Sequence, residues 1–174
     1  GGFGIYADSA KSFTPAQQWI IGIFMLLFGI NFNAYYLILI RRFRSAIRSE
    51  EIWTYLGIVA LATGIICTNL AGTYEHFSDL IRHSFFQVSS IMTTTGFSTA
   101  DFNAWPNLSK TVLLCLMFIG GCAGSTAGGL KVSRVMLLLR TARRSMRRMI
   151  HSRSVESIRF EGRIVEEDTL NTCM

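Results

Sequence analysis

Thr93-Thr94-Thr95-Gly96-Phe97-Ser98-Thr99 is the stretch whose reading decides the fold of this chain. Upstream lies a mixed polar and apolar run, Phe77 to Met92. Downstream a long apolar segment opens at Thr111 and contains Gly120-Gly121-Cys122-Ala123-Gly124-Ser125-Thr126-Ala127-Gly128-Gly129. A short helix, a Thr/Gly turn of extended backbone and a spanning helix are the parts of a cation pore, because carbonyl oxygens of such a turn can replace an ion's hydration shell. Gly96 has no Cβ and can take the backbone angles that bring successive carbonyls toward one axis.

Half of the 174 residues are hydrophobic and 16% are charged. The apolar residues fall in long runs, which a soluble domain does not need. Trp19 to Ile40 carries no charge over 22 residues, Ile52 to Ala71 none over 20, and Thr111 to Leu130 is a third such run. At about 1.5 Å per helical residue each reaches about 30 Å, the thickness of a bilayer's hydrocarbon core. A multi-pass, all-α integral membrane protein is expected. The chain opens on Gly1-Gly2-Phe3-Gly4 and stops at Cys173-Met174 without a closing element, so an internal piece of a longer protein is expected. Cys67, Cys115, Cys122 and Cys173 show no paired spacing, and the first three lie in apolar runs, where a small buried hydrophobe is the expected role.

The net charge of +6 could point to nucleic acid, but its distribution argues against that. Arg41, Arg42, Arg44 and Arg48 follow the first run; Lys131, Arg134, Arg140, Arg143, Arg144, Arg147 and Arg148 follow the third. Between Gly72 and Lys110 the only lysine or arginine residues are Arg82 and Lys110, against Glu75, Asp79 and Asp101. The positive-inside rule then places residues 41–51 and the segment beyond Arg140 in the cytoplasm and 72–110 outside. Contact of the basic clusters with lipid headgroups or a partner is the alternative to simple orientation.

The segment between the second and third runs is too apolar for an ordinary loop. Leu80-Ile81, Phe85-Phe86, Val88 and Ile91-Met92 suit a helix of about four turns, half a bilayer in length. Starting and ending on one side, it must re-enter, and non-helical backbone at that depth is tolerated only where protein buries it or water bathes it. Its C-terminal end turns partial negative charge toward the membrane centre, which favours a cation. A weak internal repeat agrees: Gly2-Phe3 followed by Asp8 echoes Gly96-Phe97 followed by Asp101, and Met25, Gly29 and Arg42 each precede Met117, Gly121 and Arg134 by 92 positions.

The strings IMTTTGFSTADFNAWP (91–106) and MFIGGCAGSTAGGLKVSR (117–134), with FMLLFGINFNAYY (24–36) upstream, closely resemble the Trk/Ktr/HKT superfamily of potassium transporters, most of all the bacterial TrkH-type membrane subunit. The resemblance covers nearly the whole chain. It implies helix–pore helix–helix repeats of potassium-channel type, four to a pore. Residues 1–50 would end the second repeat, with a filter end and a span at 19–40. Residues 51–150 would form the third: span 52–71, pore helix about 77–92, filter 93–99, and a broken span 111–139 with its loop at 120–129. Residues 151–174 would be a cytoplasmic linker toward a fourth. Gly96 then sits at the filter position, flanked by Thr94, Thr95 and Phe97, with Gly2 its counterpart in the second repeat. Potassium would be coordinated at Thr94, Thr95 and Gly96. Gly120, Gly121, Gly124, Ser125, Thr126, Gly128 and Gly129 would belong to a gating loop below the filter. The resemblance also implies a homodimer in the bacterial inner membrane and a cytosolic nucleotide-binding regulatory subunit of TrkA/KtrA type. Potassium is the substrate; no cofactor, nucleic acid or bond chemistry is expected.

Each feature has a plainer reading. Gly120, Gly124 and Gly128, and likewise Gly121, Ser125 and Gly129, are spaced by four and would make a small-residue packing face on an unbroken helix. Five glycines at about 1 kcal/mol each relative to alanine oppose that helix, and an unbroken helix over Thr111–Leu139 would be about 44 Å long. With the resemblance, an unwound loop is expected. If immersion continues through Val135–Leu139, Lys131 and Arg134 share one helical face toward a wet cavity; snorkelling to the interface is the alternative. Gly129-Leu130-Lys131-Val132 lacks the adjacency and hydroxyl of a phosphate-binding loop, and Gly124-Ser125 lacks the spacing of a nucleophile elbow. His76 and His83, seven apart, could ligate a metal in a membrane-embedded enzyme, although a place at the outer mouth is preferred. Glu75, Asp79 and Asp101 either concentrate cations at that mouth or are ordinary solvated charges. A subunit of a tetrameric two-helix potassium channel is the nearest rival, disfavoured by the second Gly-Phe pair and the additional span.

Overall fold

The computed structural model describes residues 8–42, 49–74, 76–150, 159–160 and 163–164. Gly2 and Glu75, both singled out above, lie outside the described residues.

Helix α1, Pro15–Phe28, begins with a capping box: Thr14 and Gln17 each bond the other's backbone N–H, and Pro15 takes a first-turn position where no amide is needed. It stops at Gly29. Asn31 then caps a second helix, α2 (Phe32–Leu39), its Oδ1 accepting from the Asn33 amide at 2.8 Å. The two helices meet at 90°. This corrects the expectation of one straight span over Trp19–Ile40. Hydropathy sees an uncharged run, but the residues at the corner are a glycine and an asparagine that caps a new helix. The corner is also held from outside: a Cβ on Gly29 would run into the hydroxyl of Tyr55, and that hydroxyl donates to the Leu26 carbonyl at 3.0 Å. Tyr35 donates likewise to Leu27 O at 2.6 Å, so side chains take up carbonyls at the end of α1.

Helix α3, Glu50–Leu70, is the one helix among the described residues long and apolar enough to cross a bilayer alone; α1 and α2 pass the same test as a bent pair. Its first turn carries Glu50 and Glu51, which the positive end of the helix dipole favours. Tyr55, Val59, Ala62, Ile66 and Leu70 recur at helical spacing and are buried. Trp53 and Leu61, 61% and 64% exposed, make the other side apolar too, as a lipid-facing surface must be.

Helix α4, Phe77–Met92, is about 24 Å long at 1.5 Å per residue, too short to span. It packs between α1, α3 and α5. Ser84, Gln87, Ser89 and Ser90 are buried on it beside Phe86, Val88 and Met92, a polar content suited to a helix surrounded by protein and unsuited to a lipid-facing one. A 3-10 turn, Phe102–Ala104, capped by Asp101, leads to the buried Trp105 and helix α5, Asn107–Phe118. Ser109 on α5 donates to Asn69 Oδ1 of α3 at 2.9 Å. Residues 119–131 are not helical, and helix α6 runs Val132–Ile150. Two short antiparallel strands, β1 (Arg159–Phe160) and β2 (Arg163–Ile164), follow. The core joins α3, α4 and α5 with Cys122 and Val132. Between helices in lipid such burial contributes close packing, since tails offer side chains an equally apolar surrounding.

Candidate functional site

The backbone leaves α4 at Thr93 and changes hand at alternate residues. Thr94 has φ +56° and Gly96 φ +82°, while Thr95 between them is not in the left-handed region. Positive φ is free for glycine and costly for a β-branched threonine, and two bonds compensate at Thr94. Its hydroxyl donates to the Thr93 carbonyl at 2.7 Å and accepts from the Gly128 amide at 2.9 Å. The turn is fastened to its helix by Ser90, whose carbonyl takes the Thr95 amide at 2.9 Å and whose hydroxyl donates to Phe97 O at 2.6 Å. Its outer end is fastened to Ser9-Ala10: Ser98 N–H donates to Ser9 Oγ, and Ala10 N–H donates to Ser98 O, both at 3.0 Å. Among the described residues, the carbonyls of Thr95 and Gly96 accept no hydrogen bond.

The glycine-rich segment is a loop with a closed neck. Gly120 N–H donates to Leu130 O, Leu130 N–H to Phe118 O and Val132 N–H to Gly121 O, at 2.8 to 3.1 Å. A Cβ on Gly120 would strike the Gly128 carbonyl, and one on Gly121 would come within 2.8 Å of both Ala127 Cβ and Gly29 O. Here small residues are required by close approach of backbone, not by a helix-packing face. The unbroken-helix reading of the four-residue spacing therefore does not hold.

The loop lies against the corner between α1 and α2. Cys122 N–H donates to Gly29 O at 2.9 Å, and Phe32 N–H donates to Gly124 O at 3.1 Å. Thr126 donates to Phe28 O at 3.3 Å. Two broken helices thus satisfy each other's exposed backbone, as non-helical chain at membrane depth demands. Gly29 and Gly121 are the pair related by the 92-residue offset, so the repeat places a break at the same point in both units. In the earlier unit Phe32-Asn33-Ala34-Tyr35-Tyr36 resumes a helix; in the later one glycines keep the chain unwound until Val132. A cleft of about 510 Å³ opens where Thr93 and Thr95 of the turn, Thr126 of the loop and Phe24 and Phe28 of α1 come together.

Sequence-chosen residues fare unequally. Thr94, Thr95, Gly96 and Phe97 share the turn, and Gly120–Gly129 contact it through Gly128. Lys131 and Arg134 do not both lie on a helix. Lys131 precedes α6 and its Nζ donates to the Ala127 carbonyl of the loop, whereas Arg134 is exposed on α6. His76 and His83 do not share a helix either: His76 is the residue before α4, and His83 is bonded to Thr99 Oγ1 at 2.9 Å and stacked on Tyr74. Among the described residues no three His, Cys, Asp or Glu side chains gather to hold a metal. Asp79 pairs with Arg82 at 2.9 Å, and Asp101 caps its turn. Sequence reading passed over Glu51, Tyr55 and Ser9-Ala10. Glu51, 3% exposed, accepts from Ala123 N–H at 2.7 Å and Ser133 N–H at 3.2 Å. A carboxylate at the mouth of an apolar span was its one available signal.

A spanning helix, a short helix leading into a left-handed turn, and a broken helix whose loop closes on that turn define a class: all-α membrane transporters built from pore-helix repeats. The family model described as TrkH, cation transport protein, matches residues 73–173, more than half of the chain. The chain belongs to this family of integral membrane transporters. It is 37% identical over 175 residues to the Trk system potassium uptake protein TrkH of Salmonella typhimurium, covering 98% of this chain and 36% of that one. It is 32% identical to TrkG of Escherichia coli K12, covering 99% and 36%. The crystal structure of the potassium transporter TrkH from Vibrio parahaemolyticus superposes with a TM-score of 0.89 at 31% identity, covering 99% of this chain and 38% of that one. The chain thus spans little more than a third of the relatives it matches.

Proposed function

We propose that this chain is part of a potassium uptake transporter of the bacterial inner membrane, in which Thr93–Thr99 supplies one segment of the ion filter and Gly120–Gly129 is the gate beneath it. The observation that carries this reading is the bond from Gly128 N–H to Thr94 Oγ1, at 2.9 Å, which brings the loop onto the turn. Alternating φ at Thr94 and Gly96 supports the filter assignment, since peptide planes of alternating hand set neighbouring carbonyls to one side where a strand would alternate them. The carbonyls of Thr95 and Gly96, which accept no hydrogen bond among the described residues, are available to a dehydrated cation. The relatives are named as members of a Trk system, which implies more than one component; a homodimer with a cytosolic nucleotide-binding subunit is the assembly we propose.

Gly96→Ser in the complete transporter tests the filter. A Cβ at φ +82° costs on the order of 1–2 kcal/mol, enough to shift the turn while the helices still insert. Potassium-over-sodium preference should fall in reconstituted vesicles at unchanged protein yield. Equal relative uptake of the two ions in variant and parent would count decisively against the assignment.

A further inference from the structure

Among the described residues, Glu51 is the buried carboxylate that bonds the glycine-rich loop. We infer that Glu51 is a positioning residue that latches the glycine-rich loop shut; this rests on reading that loop as the gate. One carboxylate oxygen, Oε1, receives two amides, from Ala123 inside the loop and from Ser133 in the first turn of α6. The residue sits in the first turn of α3 and is 3% exposed. Glu51 takes part in neither of the ion pairs Arg82–Asp79 and Arg140–Glu50, and the partners of its Oε1 are the two amides.

The two amides differ in kind. Ser133 N–H belongs to the start of a helix, where amides lack intrahelical acceptors and the dipole favours an anion. That bond can persist whether the loop is in or out. Ala123 N–H belongs to the loop's leading half, next to Cys122, whose amide is held by Gly29. Movement of the loop off the α1–α2 corner must break the Ala123 bond. Glu51 therefore biases the loop toward its docked position through one bond, while staying anchored by the other. A hydrogen bond to a charged group shifts an equilibrium by about tenfold to a hundredfold. Glutamine keeps an oxygen acceptor without the charge, and should recover the lower end of that range.

The native thiol of Cys122 reports the loop, being fully buried when the loop is docked. In the complete transporter, with the other cysteines replaced by alanine or serine, a water-soluble methanethiosulfonate is applied from the cytoplasmic side. Glu51→Gln should speed modification of Cys122 by about tenfold and raise potassium flux per folded protein, at a melting temperature within a few degrees of the parent. Glu51→Asp, which keeps the charge but draws it back by one methylene, should do the same to a smaller extent and serves if the glutamine variant folds poorly. Unchanged Cys122 modification in both, or a fall in melting temperature without faster modification, would overturn the latch and leave Glu51 a structural helix cap. A transporter lacking Ala123–Ala127 separates the two ideas. If excision raises flux while both Glu51 variants keep Cys122 protected, the gate stands and the latch falls. If Cys122 opens in the Glu51 variants but excision leaves flux unchanged, the latch on the loop stands and the gate reading falls.

Discussion

Gly29→Ala is the substitution that most directly probes how the two broken helices are held together. The backbone itself is no obstacle, since φ at Gly29 is −73°, open to any residue. The obstacle is space: an added Cβ meets the Tyr55 hydroxyl, lies 2.8 Å from Tyr55 Cζ and 3.0 Å from Thr93 Cγ2. Tyr55 is fully buried and its hydroxyl is committed to Leu26 O, so the ring cannot swing aside without losing that bond. Overpacking costs about 1–3 kcal/mol and the lost hydrogen bond about 1 kcal/mol, so Gly29→Ala should cost about 2–4 kcal/mol. Tyr55→Phe alone should cost about 1 kcal/mol. In the double variant the hydroxyl collision and the bond are both already gone, while the ring carbon still presses on the new methyl. The two costs should therefore fall short of additivity by about 1 kcal/mol. The assay is apparent melting temperature of the detergent-solubilised transporter, followed by gel filtration after heating, for parent, both single variants and the double. Gly29→Ala should melt lowest of the single variants. Strict additivity, or a Gly29→Ala protein that melts with the parent, would refute the idea that Tyr55 seats the corner against Gly29.

Two further outcomes are expected. Cysteines placed at Ser78 in the first turn of α4 and at Asn103 in the 3-10 turn, both exposed, should label with an impermeant reagent from outside, and one at Ser145 on α6 only from the cytoplasm; labelling of Ser78 and Asn103 from opposite sides would rule out re-entry. Excision of Ala123–Ala127 should raise potassium flux per folded protein or free it from regulation, because the loop that touches Thr94 through Gly128 is shortened. Lower flux together with lower melting temperature would instead mean that the loop's role is to join the helices.

What the sequence by itself determined is the class of the molecule. Uncharged runs of bilayer length, a half-length helix before a Thr/Gly turn and a segment of small residues are each local in the chain, and each follows from what lipid demands of backbone and side chains. The break of the last helix was legible only in part: the glycines of Gly120–Gly129 weigh against a helix, but their spacing by four also suits a packing face, and the family resemblance decided between them. The bend at Gly29–Asn31 was not legible. Gly and Asn are uncharged and pass unnoticed in a hydropathy run, and the bend is stabilised by Tyr55, Cys122 and Gly124, which are distant in sequence. For Lys131 the sequence left a charge toward a wet cavity and a side chain snorkelling to the interface both open, and it could not show the bond from its Nζ to the Ala127 carbonyl of the loop. Glu51 drew no notice in the sequence, because Ala123 and Ser133 come beside it only in the fold. Only the tertiary structure could decide these, because unwound backbone within a membrane must find its hydrogen bonds elsewhere, and where it finds them depends on which other segment is also unwound and near.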